Sequence, residues 1–167
     1  GISPRIYPGQ IKGEIVLADS DEHDQKGNII EDGDTRRQMM EKRMKKIHLL
    51  AEEMDEPDLY GNPHPDILLI GWGSTYGVLR EAVDALAALG TNAALLHFTD
   101  LWPLPRKRIT DFLPRVKKSF CVENNATGQL AALIRRETGL SVDNNILKYD
   151  GRPFMSHEIV REVEKGV

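Results

Sequence analysis

The side chains best suited to chemistry stand together in the run Glu123-Asn-Asn-Ala-Thr-Gly-Gln129, directly after an apolar segment. Open α/β folds place ligands and subunit contacts just beyond the carboxyl ends of their strands. Five side chains of this run are polar, which exceeds the need of a bare strand-to-helix turn. The candidates for ligand or interface contact are Glu123, Asn124, Asn125, Thr127, Gly128 and Gln129. The structural alternative is that Asn125 or Thr127 caps the next helix and Gly128 permits a close approach.

A second candidate is the glycine-rich turn Gly71-Trp-Gly-Ser-Thr-Tyr-Gly77, between an apolar run and a helical pattern. Backbone amides at such a turn could hold a phosphate. The spacing is one residue longer than the dinucleotide-binding fingerprint, so it favours a structural turn over a ligand contact. Gly73, Ser74 and Thr75 remain candidates for a ligand or partner contact, and Ser74 or Thr75 could instead cap the following helix.

The turn Asp150-Gly-Arg-Pro-Phe154 contributes one further candidate, Arg152. A guanidinium can pair with a carboxylate across an interface, although a plain surface arginine is the commoner case.

The chain offers little for catalysis or for a metal. Asp19-Ser-Asp-Glu-His-Asp24 places carboxylates beside an imidazole, but the spacing is not that of an EF-hand and no second His is nearby. We interpret this run as a solvated or partner-facing loop. Cys121 lies in an apolar segment, where a thiol is normally inert, and no Gly-x-Ser-x-Gly elbow occurs. The sequence therefore predicts no catalytic residue and no metal site.

Composition limits the classes of partner. The 167 residues are 40% hydrophobic and 29% charged, which is ordinary for a globular domain. The formal net charge of −4 gives no bulk attraction to nucleic acid, and the apolar runs are too short for a membrane span. A single cysteine fits a reducing compartment, so we expect a cytoplasmic protein. Because the chain opens on Gly1 without Met, it is a processed product or a fragment of a longer protein, and we favour the fragment.

The elements that would position these residues fall into two parts, divided near Gly61-Asn-Pro-His-Pro65. Residues 1–62 are predicted to form an arm with an acidic loop, a short strand at Glu14–Leu17 and a helix from about Asp34 to Met54. The helix has a narrow apolar stripe, which packs on its own domain or docks on another domain or subunit. The stripe consists of Met40, Met44, Ile47, Ala51 and Met54. Residues 63–167 are predicted to form an α/β domain.

In that second part, apolar runs alternate with helical patterns. Strands are expected at 66–70, 92–98, 119–123 and 146–149, and helices at 78–89, 105–113, 127–137 and 156–164. This alternation predicts a mostly parallel sheet covered by helices on both faces, a three-layer α/β/α sandwich.

Several motifs in this order resemble one family. They are Ser3-Pro-Arg5, Asp21-Glu-His-Asp24, Lys42-Arg43, Gly71-Trp-Gly-Ser-Thr75, Glu123-Asn-Asn-x-x-Gly-Gln-Leu130 and Asp150-Gly-Arg-Pro-Phe154. The chain resembles the C-terminal part of the α-subunit of 2-oxoacid:ferredoxin oxidoreductases, the group acting on 2-oxoglutarate and related acids. The resemblance adds Arg5, Glu22 and His23 as weaker contact candidates. It also implies a fold similar to the C-terminal domain of transketolases, with one antiparallel strand.

The resemblance implies that the complete enzyme decarboxylates a 2-oxoacid oxidatively to an acyl-CoA. It would use thiamine diphosphate, Mg²⁺, an iron–sulfur cluster and coenzyme A, with ferredoxin as the electron acceptor. This chain lacks the thiamine-binding run, which the family carries on a β-subunit, and one cysteine cannot ligate a cluster. We therefore expect a fragment that binds no cofactor, is inactive alone and serves subunit assembly. The alternatives are a stand-alone Rossmann- or flavodoxin-like small-molecule-binding domain and a pure interaction module.

Overall fold

The computed structural model describes residues 1–16, 20–24 and 26–167, which form two compact units, Gly1–Glu53 and Met54–Val167. The boundary between the units lies before the predicted boundary at residues 61–65. The reason is that the strand Asp58–Gly61 belongs to the sheet of the second unit. Residues 14–16 do not form the expected short strand, and Leu17 lies outside the described residues. Asp19 of the acidic run lies outside them too.

The second unit is built on a five-stranded mixed sheet with the order β1-β3-β2-β4-β5. The strands are β1 (Asp58–Gly61), β2 (Ile67–Trp72), β3 (Ala93–Phe98), β4 (Lys118–Glu123) and β5 (Asn144–Leu147). Strand β1 runs antiparallel to β3, and the other neighbouring pairs are parallel. This topology confirms the predicted α/β class with one antiparallel strand.

Helices cover both faces of the sheet. They are α2 (Tyr76–Ala88), α3 (Lys107–Phe112), α4 (Gln129–Thr138) and α5 (Ser156–Gly166). Leu69 faces a core that α2 and α5 complete, whereas its neighbour Leu68 faces the core under α3 and α4. Because successive strand residues point to opposite faces, the continuous apolar run of β2 is buried on both sides. The predicted three layers are thereby formed.

Strand β1 is the element that the sequence pattern did not indicate. Only four residues long, it lies at the sheet edge with Asp58 and Gly61 exposed. Its last residue, Gly61, has a φ of 101°, and a Cβ there would lie 2.9 Å from the carbonyl oxygen of Ala93. The close approach of β1 to β3 therefore requires glycine at its end.

The first unit contains α1 (Gly33–Glu53), close to the predicted bounds of 34–54. None of its residues is buried, and apolar side chains of the predicted stripe such as Met40 and Met44 are 40% and 52% exposed. No helix in the described part of the chain is long and apolar enough to cross a membrane.

Candidate functional site

The carboxyl ends of β2, β4 and β5 meet at one edge of the sheet. Strand β2 lies between β3 and β4, so the chain leaves β2 toward one side and later enters β4 on the other. The ends of β2 and β4 therefore flank a topological switch point, which is where open α/β sheets bind ligands.

A cleft of about 460 Å³ opens at this edge, and we call it the carboxyl-edge cleft. Three connections line it, those after β2, β4 and β5. The lining residues are Ser74, Asn124, Lys148, Tyr149, Gly151, Arg152 and Pro153. The fold thus brings together three candidates, Ser74, Asn124 and Arg152, that lie far apart in the sequence. Sequence reasoning missed Lys148 and Tyr149, because nothing in their local pattern shows that the end of β5 adjoins the other two connections.

Glu123 adjoins this cleft in sequence but points away from solvent, with no exposed surface. Its Oε2 accepts hydrogen bonds from Trp72 Nε1 at 3.2 Å, Asn125 Nδ2 at 2.8 Å and the Leu130 amide at 2.9 Å. Its Oε1 accepts from the Ala131 amide at 3.2 Å and lies 3.4 Å from Cys121 Sγ. Every partner is a donor, so the acceptor-only carboxylate satisfies all of them.

The two backbone amides come from the first turn of α4, where N–H groups lack partners within the helix. Glu123 therefore joins the end of β4 to the start of α4 and, through the Trp72 indole, to the end of β2. The carboxylate also affects its neighbour: burial first and the negative charge of Glu123 second raise the pKa of the Cys121 thiol well above its usual value.

Asn125 has a local role as well. Its Oδ1 accepts from the amides of Thr127 at 3.0 Å, Gly128 at 2.8 Å and Gln129 at 3.4 Å. These bonds order the connection before α4. The N-cap residue of the helix is Gly128 with no side-chain cap bond, so the alternative of capping by Asn125 or Thr127 is not formed, and α4 begins at Gln129 rather than at the expected residue 127. Gly128 has a φ of 64°, which favours glycine.

By contrast, Asn124, Thr127 and Gln129 expose their side chains. No hydrogen bond of these three side chains occurs within the described residues. The polar run therefore divides into inward-facing residues that fix the turn and outward-facing residues that are free to contact another molecule.

The glycine-rich turn after β2 is held by its own residues. Thr75 is buried, and its hydroxyl accepts from the Trp72 amide at 3.2 Å and donates to the Trp72 carbonyl at 2.8 Å. A Cβ on Gly71 would lie 2.2 Å from Leu79 Cδ1, so glycine allows β2 and α2 to pack closely. Gly73 has a φ of 58°. Ser74 is exposed toward the carboxyl-edge cleft.

The connection after β5 carries the cations of the cleft. Lys148 Nζ donates to both carboxylate oxygens of Glu158, at 2.8 and 2.7 Å, and this hydrogen bond is the main cause that lowers the pKa of Glu158. Arg152 is exposed, and its guanidinium pairs with no group in the described part of the chain.

The weaker candidates lie in the first unit. Glu22 accepts from Arg36 Nη1 at 2.8 Å and from Arg43 Nη1 at 2.8 Å, and a second Arg43 nitrogen contacts the same carboxylate. These contacts, led by the Arg43 hydrogen bond, lower the pKa of Glu22 to about 2. His23 forms an isolated bridge with Ile29, and the Arg5 guanidinium lies 5.4 Å from the centre of the Tyr7 ring.

Comparison with known proteins assigns the family. Residues 65–159 match the family described as pyruvate:ferredoxin oxidoreductase core domain II. The chain belongs to this family. The matched segment contains β2 to β5 and every residue that lines the carboxyl-edge cleft.

Relatives of this domain II chain are α-subunits. The chain is 38% identical over 156 residues to the α-subunit of 2-oxoacid:ferredoxin oxidoreductase 1 from Aeropyrum pernix. The aligned region covers 90% of this chain and 24% of that α-subunit. The corresponding α-subunit from Sulfurisphaera tokodaii is 36% identical to this chain. The aligned region covers the whole of this chain and 26% of the α-subunit. The chain therefore spans about a quarter of the length of these curated relatives.

Solved structures agree with the sequence relatives. A 2-oxoglutarate:ferredoxin oxidoreductase from Magnetococcus marinus, with 2-oxoglutarate, coenzyme A and succinyl-CoA bound, matches 98% of this chain and 28% of its own, with a TM-score of 0.80 and 30% identity. A split-gene transketolase, described as an inactive β4 tetramer, matches 67% of this chain and 42% of its own, with a TM-score of 0.53 and 15% identity. The second likeness concerns the fold alone and confirms the predicted transketolase-like architecture.

The residues present do not fit the iron–sulfur cluster that the resemblance implies for the complete enzyme. The whole sequence has one cysteine, Cys121, and it is buried in β4, so the chain cannot supply the several thiolates of an iron–sulfur cluster. In residues 1–16, 20–24 and 26–167, no three His, Cys, Asp or Glu side chains form a group that could hold a metal ion.

Proposed function

We propose that this chain is the domain II region of the α-subunit of a 2-oxoacid:ferredoxin oxidoreductase and that it serves subunit assembly rather than chemistry. The proposal is supported by the two directions in which the polar side chains point at the carboxyl edge of the sheet. Inward-facing Glu123 and Asn125 fix the turn, while outward-facing Asn124 and Gln129 present amides that donate and accept. Fixed polar groups of this kind favour recognition of a partner.

In the complete enzyme, a β-subunit would carry thiamine diphosphate with Mg²⁺, and other parts would hold the iron–sulfur cluster and receive coenzyme A and ferredoxin. The reaction would be the oxidative decarboxylation of a 2-oxoacid such as 2-oxoglutarate to its acyl-CoA, in the cytoplasm. The bound compounds named for the M. marinus structure support this choice of substrate class.

The first test is activity of the purified chain. We expect no 2-oxoacid-dependent dye reduction when thiamine diphosphate, Mg²⁺ and coenzyme A are supplied, because the chain lacks the thiamine-binding run and its one cysteine, buried in β4, cannot ligate an iron–sulfur cluster. Turnover clearly above a control without protein would contradict the proposal.

The second test is assembly with the thiamine-binding β-subunit. Asn124→Ala removes an exposed amide, and a polar partner left unpaired at an interface costs about 1–3 kcal/mol. We expect weaker co-elution with the β-subunit, whereas the melting temperature of the isolated chain stays unchanged. Ser141→Ala is the control, because Ser141 is an exposed polar residue in the loop that precedes β5, at the opposite edge of the sheet.

The two readouts separate assembly from catalysis. Normal assembly of the Asn124→Ala variant combined with a slower chemical step would place Asn124 in the active site and refute the assembly role. Equal loss of co-elution in the Ser141→Ala variant would show that the effect is not specific to the carboxyl edge.

A further inference from the structure

Three side chains with different kinds of hydrogen-bond donor line the carboxyl-edge cleft. The donors are the hydroxyl of Ser74, the amide of Asn124 and the guanidinium of Arg152, each from a different connection. Within residues 1–16, 20–24 and 26–167, none of these three side chains pairs with another group. Their donors are therefore available to a molecule that enters the cleft.

The charged side chains that line the cleft are all basic. Its lining includes Lys148 and Arg152 and, among the described residues, no carboxylate. The acids nearest in the chain are engaged elsewhere: Glu158 accepts from Lys148 and from the Met155 amide, and Asp150 Oδ1 accepts from the Arg152 amide at 3.0 Å. Lys148 is thus neutralised by its own partner, and Arg152 remains as the cation without one.

The position of Arg152 is set by its turn. Asp150 closes the turn through the Arg152 amide, and Gly151 has a φ of 80°, a backbone conformation that favours glycine. The next residues anchor the turn, because Phe154 is buried in the core beneath α5. The guanidinium is therefore attached to a fixed backbone beside the end of β4.

We propose that the carboxyl-edge cleft binds an oxyanion, a carboxylate or a phosphate. The planar guanidinium of Arg152 can donate two parallel hydrogen bonds to two oxygens of such a group. Ser74, after β2, and Asn124, after β4, can donate to the remaining lone pairs from the two sides of the switch point, where α/β sheets bind ligands. The site belongs to this chain alone, so it does not depend on the proposed assembly role.

The test is a titration of the ¹⁵N-labelled full chain followed by NMR. Inorganic phosphate and, separately, succinate are added while chloride keeps the ionic strength constant. We expect saturable shifts of the signals of Ser74, Asn124 and Arg152. Loss of the guanidinium in Arg152→Ala is expected to weaken binding at least about tenfold, because hydrogen bonds to charged groups are among the stronger ones. Arg152→Lys keeps the charge without the planar guanidinium, so its affinity for the anion should lie between those of the unmodified chain and of Arg152→Ala.

Arg135→Ala is the matched control, because Arg135 is also exposed and its side chain has no partner in the described residues. It should bind both anions like the unmodified chain. The proposal is overturned if neither anion causes a saturable change at the cleft, if chloride alone causes the same change, or if Arg152→Ala and Arg135→Ala bind equally well. Because Arg152 is exposed, its variants should keep the melting temperature, which is measured alongside.

The source of the oxyanion is distinguished in the assembled enzyme. Phosphate or succinate binding that persists after the β-subunit is added identifies a free small anion as the ligand. Binding that is blocked by the β-subunit, with Arg152→Ala also weakening assembly, identifies an acidic side chain of the partner as the occupant of the same site.

Discussion

Replacement of Glu123 by Gln tests the most connected polar group of the domain. The change keeps the size of the side chain but converts one carboxylate oxygen into an NH₂ group, which only donates. Four nitrogen donors and the Cys121 thiol surround the two oxygens. The new NH₂ group must therefore face at least one donor.

The less damaging orientation places the NH₂ group at the Oε1 position, where the Cys121 thiol can rotate to accept a bond. The Ala131 amide then loses its partner, and a buried unsatisfied donor costs about 1–3 kcal/mol. Loss of the negative charge at the start of α4 adds about 0.3–1 kcal/mol. We expect the free energy of unfolding to fall by about 1–4 kcal/mol, combining the two contributions.

Urea unfolding of the full chain, followed by the fluorescence of Trp72 and Trp102, measures this change. Glu123→Ala should be more destabilising than Glu123→Gln, because it removes both acceptors and leaves a cavity. Glu81→Gln is the control, since Glu81 is exposed on α2 and no hydrogen bond of its side chain occurs in the described part of the chain. An effect of Glu123→Gln no larger than that of Glu81→Gln would refute the structural role of this carboxylate.

Three further predictions follow from the same contacts. Asn125→Ala should lower the stability of the isolated chain by about 1 kcal/mol in urea unfolding, whereas Asn124→Ala should leave it unchanged; equal effects would contradict the division of roles. The raised pKa of the buried Cys121 predicts that iodoacetamide modifies it far more slowly in the native chain than in guanidinium, as mass spectrometry can measure. The Glu22 carboxyl, with a pKa lowered to about 2 from 4.5, should stabilise the first unit fully above pH 4.5 and lose this contribution as the pH falls through 2. Carbon-detected NMR titration measures that pKa, and Arg43→Ala should return it toward 4.5.

The sequence was sufficient for the main elements of the sheet because their signals are local. Continuous apolar runs such as Ile67–Ile70 and Ala93–Leu96 are long enough to indicate strands that are buried on both faces. Strand β1 gave no such signal, since its four residues are half-exposed and it forms by pairing with β3, more than thirty residues later in the chain. Pairing over such a distance cannot be recognised from four residues alone.

The start of α4 shows a second limit. The sequence pattern placed it at residue 127, but the amides of residues 127–129 bond to the Asn125 side chain, and the helix begins at Gln129. Asn and Asp side chains compete with the helix for backbone donors in this way. A pattern of apolar residues is insensitive to that competition.

The role of each residue in the polar run depends on whether its side chain points inward or toward solvent, and the residue type does not reveal this. Asn124 and Asn125 are identical neighbours, yet one is exposed and the other holds three backbone amides. Glu123, the one carboxylate of the polar run, instead turns inward because the first turn of α4 and the Trp72 indole supply donors there. The inward residues fix the backbone so that Asn124 stays beside Ser74 and Arg152 at the cleft. A surface for recognition is thus produced by buried polar bonds, and a variant that weakens those bonds should impair the cleft without touching any of its lining residues.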